Sequence, residues 1–180
     1  MTELGEWAKP VLPGVLVTLR PYSGADGDGA WEMVQDPEGQ DLTGTTATFT
    51  REQIQEWVES RGTAPERLDL AVVENATGEY AGEAVLNEFD SGRRSANFRI
   101  ALRGPAWYGR GLGGEATMLM ARHAFESIGL ESMVLEVRAD NVRAIRAYEK
   151  AGFVETGRSE DEGATWVDME LAAADWRARQ

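Results

Sequence analysis

A chain of 180 residues, 42% of them apolar, is long enough to bury a core and short enough for one domain, so residues 1–180 are read as a single unit with its core over about 15–171. It has no cysteine and one histidine, His123, which excludes a disulfide framework, a thiolate zinc site, a cysteine nucleophile and a histidine-rich metal centre. Thirty-one acidic residues against eighteen Lys plus Arg give a formal charge of −13, which disfavours general nucleic-acid binding and suits an amine partner, although an acidic surface also serves solubility.

The first residues, Met1 to Trp7, lack the basic start and apolar run of a signal peptide, and nowhere do roughly 18 apolar residues follow one another, so a soluble cytoplasmic protein without a membrane span is expected. Residues 15–20 alternate as a strand that Pro21 closes, and residues 24–34 allow a short helix. Residues 36–50, rich in Gly, Thr and acids, read as a long loop. Thr50 with Gln53 forms a capping box for a helix whose apolar stripe is Ile54, Trp57 and Val58. Residues 68–74 and 80–89 flank the Asn75-Ala-Thr-Gly78 turn as a hairpin, and a second turn at 90–94 returns the chain into a strand over 96–102. A helix over 113–128 follows, then a half-buried strand over 133–138, in which Met133, Leu135 and Val137 alternate. Asp140 and Asn141 cap a further helix that Gly152 stops, and strands over 153–157 and 165–171 complete the order β, α, α, β, β, β, α, β, α, β, β.

Chemistry concentrates between Tyr108 and Gly114, where Tyr-Gly-Arg-Gly-Leu-Gly-Gly opens directly onto the helix starting Glu115-Ala-Thr-Met. Glycines bring backbone N–H groups close to a ligand, and the first helical turn adds unpaired donors and the positive end of the dipole, so a phosphate or pyrophosphate belongs there. Gly109, Gly111 and Gly114 also satisfy G-x-G-x-x-G, with Glu136 or Asp140 roughly where a ribose-binding acid is expected. The dinucleotide context is wrong, because Arg103 to Trp107 separates the glycines from their strand and the strands before them read as hairpins. No Lys-Ser or Lys-Thr follows Gly114, which excludes a P-loop.

The segment from Asn97 to Phe153 resembles the GNAT superfamily of acetyl-CoA-dependent N-acetyltransferases, most closely its ribosomal-protein-type (RimJ/RimL-like) branch. The resemblance is carried by Ile100-Ala-Leu102, by Trp107-Tyr-Gly-Arg-Gly-Leu-Gly-Gly-Glu-Ala116, and by Asn141-Val-Arg-Ala-Ile-Arg-Ala-Tyr-Glu-Lys-Ala-Gly-Phe153. The family pattern Q/R-x-x-G-x-G/A departs here at Tyr108, with Arg110 beside the phosphates as a partial repair. It implies an α/β fold with a mixed, mostly antiparallel sheet of about six or seven strands, helices on both faces and a splay between the two central strands. It further implies that acetyl-CoA lies on Tyr108, Gly109, Arg110, Gly111, Leu112, Gly113 and Gly114, along Ile100, Ala101 and Leu102, and against Asn141 and Ala144. No metal is called for, and the pairing of two copies is left open.

With no cysteine and no G-x-S-x-G elbow, direct attack by an amine on the thioester is expected. An α-amino group of pKa about 7.7–8.0 is partly neutral at neutral pH, whereas neutralising a lysine near 10.4 costs about 4–5 kcal/mol. A carboxylate base therefore matters more for some acceptors than for others. Glu83 and Glu88 lie on the middle strand of the trio, on opposite faces by alternation, and Glu88, next to Asn87 at the strand end, is the choice for the cleft. Tyr148 stands at the position where the family carries the general acid for the departing thiolate; its alternative is a core tyrosine. Asn97 is placed to orient the amine, His123 has no assigned role, and Trp31, Phe49, Trp57 and Trp107 are candidates for an acceptor wall, with residues 43–50 as the acceptor loop.

Overall fold

The computed structural model describes residues 7–180. Its strands are β1 (Leu12–Pro13), β2 (Val17–Pro21), β3 (Leu68–Glu74), β4 (Tyr80–Asp90), β5 (Ser95–Leu102), β6 (Ser132–Arg138), β7 (Val154–Asp161) and β8 (Ala164–Ala172). Its helices are α1 (Gly27–Gln35), α2 (Pro37–Thr43), α3 (Arg51–Ser60), α4 (Leu112–Arg122), α5 (Val142–Ala151) and α6 (Ala173–Ala178). The strands form one sheet in the order β1-β2-β3-β4-β5-β6-β8-β7, antiparallel throughout except at β5 and β6. This is the mixed, mostly antiparallel α/β arrangement expected, with eight strands in place of six or seven.

Alternation along β3 separates two cores. Leu68, Leu70 and Val72 face the larger one, where α4 and α5 bring Leu119, Met120 and Tyr148 against Phe98 and Phe153. Ala71 faces the other way, into a smaller core closed by Ala30 of α1 and by Ile54 and Val58 of α3. Helices therefore cover both faces. No helix among the described residues is long and apolar enough to cross a membrane.

Several local expectations change. Residues 36–50 hold α2: the Asp36 carboxylate accepts the Gly39 N–H at 2.9 Å, Pro37 opens the first turn, and left-handed Gly44 (φ 66°) closes the helix. The strand over 15–20 becomes β2 and begins at Val17, because the N–H groups of Val15, Leu16 and Val17 donate to the Glu115 carboxylate at 3.0, 2.7 and 2.8 Å, and it runs through Pro21. The helix over 113–128 becomes α4 followed by a π-helical turn at His123–Ile128. The strand over 153–157 extends to Asp161, because Glu162 and Gly163 both adopt positive φ (47° and 79°) and make the tight hairpin turn to β8. The short strand β1 and the C-terminal α6 have no counterpart in the expected order of elements.

Candidate active site

The cleft begins where β5 and β6 part. They pair only from Ser95 with Ser132 to Asn97 with Val134, while β6 stays hydrogen-bonded to β8 as far as Arg138. From Phe98 onward β5 has β4 on one side and no strand on the other. Gly82 of β4 lets the two strands meet: a Cβ there would lie 2.1 Å from the Ala101 carbonyl oxygen. The side chains of Ile100 and Leu102 point toward Gly113 at the start of α4, and Arg99 and Ala101 take the opposite face.

At the end of this opening stands the glycine turn. Gly111 adopts φ 79° as the residue preceding α4, and the first hydrogen bond of the helix runs from the Glu115 N–H to the Gly111 carbonyl at 3.1 Å. No side chain caps this end, so the N–H groups of Leu112, Gly113 and Gly114 precede the first helical bond and remain available to an anion. Ile100, Ala101, Leu102, Tyr108, Gly109, Gly111, Leu112, Gly113, Gly114, Asn141, Ala144 and Tyr148 all line one cleft of about 1840 Å³.

Arg110 is the exception among the expected phosphate contacts. Its guanidinium donates to Glu74, lies over the Trp107 ring at 5.5 Å and is absent from the cleft wall. Glu74 is only 4% exposed, and a buried carboxylate demands a cation more strongly than a solvated phosphate site does. The cations that do line the cleft are Arg99, Arg122, Arg143 and Lys150; Arg143, at the start of α5, lies next to the glycine turn over the Tyr108 ring, whereas Arg122 and Lys150 sit toward the C-terminal ends of α4 and α5. Composition alone gave no signal for these three, since only the cleft face of each helix distinguishes them from solvated charge.

Tyr108 donates its hydroxyl to Asp36 at 2.9 Å, and Arg143 lies 4.0 Å above its ring while donating to Glu38 at 2.9 Å. Burial, then the bond to Asp36, raises the Tyr108 phenol well above its ordinary value. Arg138 holds the carbonyl of Asp41 at 2.8 Å. The helix α2, which buries no side chain of its own, is thus strapped by polar contacts to the glycine turn and the base of α5.

The Asn141 side chain accepts the Ala144 N–H at 3.2 Å and starts α5. Seven residues on, the Tyr148 ring is held edge-on to Phe98 (centroids 6.5 Å apart) and tilted against Phe153 (5.6 Å). Its hydroxyl has no hydrogen-bond partner among the described residues, yet Tyr148 lines the cleft. Burial pushes this phenol up to about 12. It therefore keeps its proton across the neutral range, as a hydrogen-bond donor must.

The buried carboxylate in the cleft wall is Glu83. Buried to 4% exposure, it accepts from the Tyr22 hydroxyl at 2.9 Å and from Arg99 at 2.9 Å, and Tyr22 also bonds Tyr80 at 3.0 Å. Burial, reinforced by the charge of Glu83, raises both phenols far above their usual range. Glu88 does not face the cleft, which corrects the choice based on its place beside Asn87 at the strand end: it sits exposed on the bulge between Asn87 and Asp90 with φ 51°, so the period of two that places side chains fails at that residue. Its charge acts instead on Glu136, whose carboxyl is raised first by burial and then by Asp168 and Glu88. Asn97 donates to Asn87 at 2.9 Å and does not line the cleft, whereas Phe49, Trp57 and Trp107 do; Trp31 packs into the smaller core.

Residues 17–154 match the Acetyltransferase (GNAT) domain family. The spermidine N(1)-acetyltransferase of Vibrio cholerae is 32% identical over 91 residues, 51% of this chain and 52% of that protein, so the match spans about half the relative's length. The mycothiol acetyltransferase of Mycobacteroides abscessus is 47% identical over 49 residues, 27% of this chain and 16% of that protein. The crystal structure of the Vibrio cholerae spermidine N-acetyltransferase in complex with CoA and spermine superposes with a TM-score of 0.79 at 18% identity, covering 90% of this chain and 98% of that one, a likeness of fold. With the splayed sheet and glycine turn in place, the family match over most of the chain shows that this protein belongs to the GNAT acetyltransferases.

Proposed function

We propose that this protein transfers the acetyl group of acetyl-CoA to a primary amine by direct attack within a ternary complex. The observation that carries the reading is the convergence on one cleft of three things: the free N–H groups at the start of α4, the unpaired edge of β5 and the unpartnered hydroxyl of Tyr148. The pyrophosphate binds at Gly111 to Gly114 with Arg143 beside it, and the pantetheine arm pairs with the open edge of β5 as an added strand would. Asn141 and Ala144 flank the thioester. The kinship with the ribosomal-protein-type branch belongs to the same proposal and rests on the Asn141 to Phe153 motif.

Glu83 receives the ammonium group and takes its proton, directly or through a water. The amine nitrogen then forms its bond to the acetyl carbon and gives up a second proton to water in the cleft, the carbon–sulfur bond breaks, and the sulfur leaves as a thiolate toward the Tyr148 hydroxyl. A thiol has a pKa of about 8.5, so full transfer from a phenol at about 12 is uphill by ~5 kcal/mol; Tyr148 contributes chiefly by hydrogen bonding to the developing charge. No acyl-enzyme is involved.

The test is release of free CoA thiol with acetyl-CoA and a panel of peptide N-termini, polyamines, aminoglycosides and small amines. Turnover with intersecting initial-rate plots is expected. Parallel plots with a trapped acetyl-protein adduct, or acetyl-CoA binding without turnover of any amine, would overturn the reading.

A further inference from the structure

The chain has 31 acidic residues, yet among the described residues only Glu56, Glu83 and Glu115 line the cleft, against the four cations Arg99, Arg122, Arg143 and Lys150. Glu115 is occupied by the N–H groups of Val15 to Val17, and Glu83 by Arg99 and Tyr22. The wall thus carries the opposite charge balance to the molecule as a whole. Negative surface such as the Glu136 and Asp168 pair lies outside it.

On the side of β5 that faces α1 and α3, large apolar side chains line the wall, interspersed with Gln40, Thr43, Thr45, Gln53, Ser60 and the exposed Glu56. Met33, Val34, Leu42, Phe49, Ile54 and Trp57 converge there from α1, α2, the segment after it and α3. All but Ile54 remain partly open to water, and Phe49 is 40% exposed. Such side chains gathered in a concave wall, with one buried carboxylate at its inner end, match an apolar ligand that ends in a single polar group. The total of about 1840 Å³ exceeds the ~300–1,000 Å³ usual for one ligand, which leaves room for an acceptor beside CoA.

We infer that the acceptor is a primary amine on an apolar or aromatic body, and that polyamines are poor substrates. The inference rests on the acetyltransferase reading above. A lone ammonium group meets Glu83, while the half-exposed Arg99 guanidinium, bonded to that same carboxylate, repels a second positive charge. Among the described residues that line the cleft, Glu56 on α3 is the one further carboxylate that could meet a polyamine's remaining ammonium groups, and it lies exposed to water, where an ion pair contributes little; the others would rest against apolar side chains.

Thiol release with acetyl-CoA tests this directly, comparing phenylethylamine and tryptamine with spermidine and spermine at equal concentration. The expected kcat/KM is at least about tenfold higher for the aromatic amines, the effect of burying a ring against such a wall. Phe49→Ala, on an exposed side chain, should raise KM for phenylethylamine at least about fivefold more than KM for propylamine; a merely structural role would move both alike. Equal or better turnover of spermidine overturns the inference and leaves the acetyltransferase reading intact. Preference for hexanoyl-CoA over acetyl-CoA with the same amine assigns the apolar wall to the acyl chain and also overturns it. Failure to acetylate any amine overturns both.

Discussion

The two halves of the cleft are built from different materials. On the donor side, the anion site consists of backbone N–H groups at the start of α4, a helix anchored by buried Leu112, Ala116, Leu119, Met120 and Ala121. On the acceptor side, the wall consists of side chains from α1, α2 and α3, and α2 buries none of its own residues. Its attachments are Tyr108 to Asp36, Arg143 to Glu38 and Arg138 to Asp41. Backbone donors on a buried helix give a site that cannot easily rearrange, suited to a ligand that is always the same. Side chains on a polar-strapped helix can change shape or sequence without disturbing the core, which suits the ligand that differs between enzymes.

The sharpest way to break this contrast is to block the rigid half. A Cβ on Gly113 would meet only the tips of Leu102 and Ile100, at 3.7 and 3.9 Å, so this position tolerates a side chain far better than left-handed Gly111. Gly113→Phe should therefore fold but lose acetyl-CoA affinity by about 100-fold or more, through loss of charge-assisted bonds to the phosphates. Calorimetry with acetyl-CoA checks affinity, and thermal unfolding checks folding. Unchanged affinity would remove the anion site from Gly111 to Gly114.

Next in size is Tyr148→Phe, which keeps the packing on Phe98 and Phe153 and removes the hydroxyl. Turnover should fall about 10²–10³-fold with acetyl-CoA affinity near wild type. Equal turnover, under conditions where chemistry limits the rate, would make Tyr148 structural. The raised phenol has a second consequence. The folded state favours the neutral form, so stability is full below the ordinary phenol value of about 10 and is lost as pH rises toward about 12. Denaturant titrations at about pH 9 and about pH 11 should show a smaller alkaline loss in Tyr148→Phe than in the wild type, the remainder belonging to Tyr22 and Tyr80.

The acceptor half predicts smaller changes in rate. Glu83→Gln should lower kcat/KM by about 10–100-fold and abolish its acidic limb, whereas Glu88→Gln on the exposed bulge should leave the profile intact. An unaltered limb in Glu83→Gln would assign deprotonation to water or to the amine itself. Smallest is Glu38→Ala, which frees Arg143 from α2. An exposed pair contributes about 1 kcal/mol or less, so the thermal midpoint should barely move while KM for the amine shifts a few-fold and acetyl-CoA affinity holds. A shift confined to acetyl-CoA would place the α2 strap on the donor side.

What could be read from the sequence divides along the same line. The glycine turn, the Asn141 cap and the Tyr148 position are local in the chain: φ preferences, capping chemistry and helical spacing act within a few residues, so a motif of seven or thirteen residues carries them whole. The hairpin over β3 and β4 and the three antiparallel strands before the turn are local for the same reason. Arg110 depended on a partner 36 positions away: nothing near it in sequence shows that Glu74 would be buried beside it. Glu88 depended on a bulge that spoils alternation, and α2 was hidden because its Asp36 cap and Gly44 stop lie among residues that also suit a loop. The amino-acid sequence by itself determined the glycine turn that opens α4, the place of Tyr148 on α5 and the order of the central elements, because each is set by backbone propensity at short range. Only the tertiary structure decided which carboxylate is buried in the cleft, which cations line it and which side chains from α1, α2 and α3 form its wall, because burial and charge pairing are settled between segments brought together by the sheet.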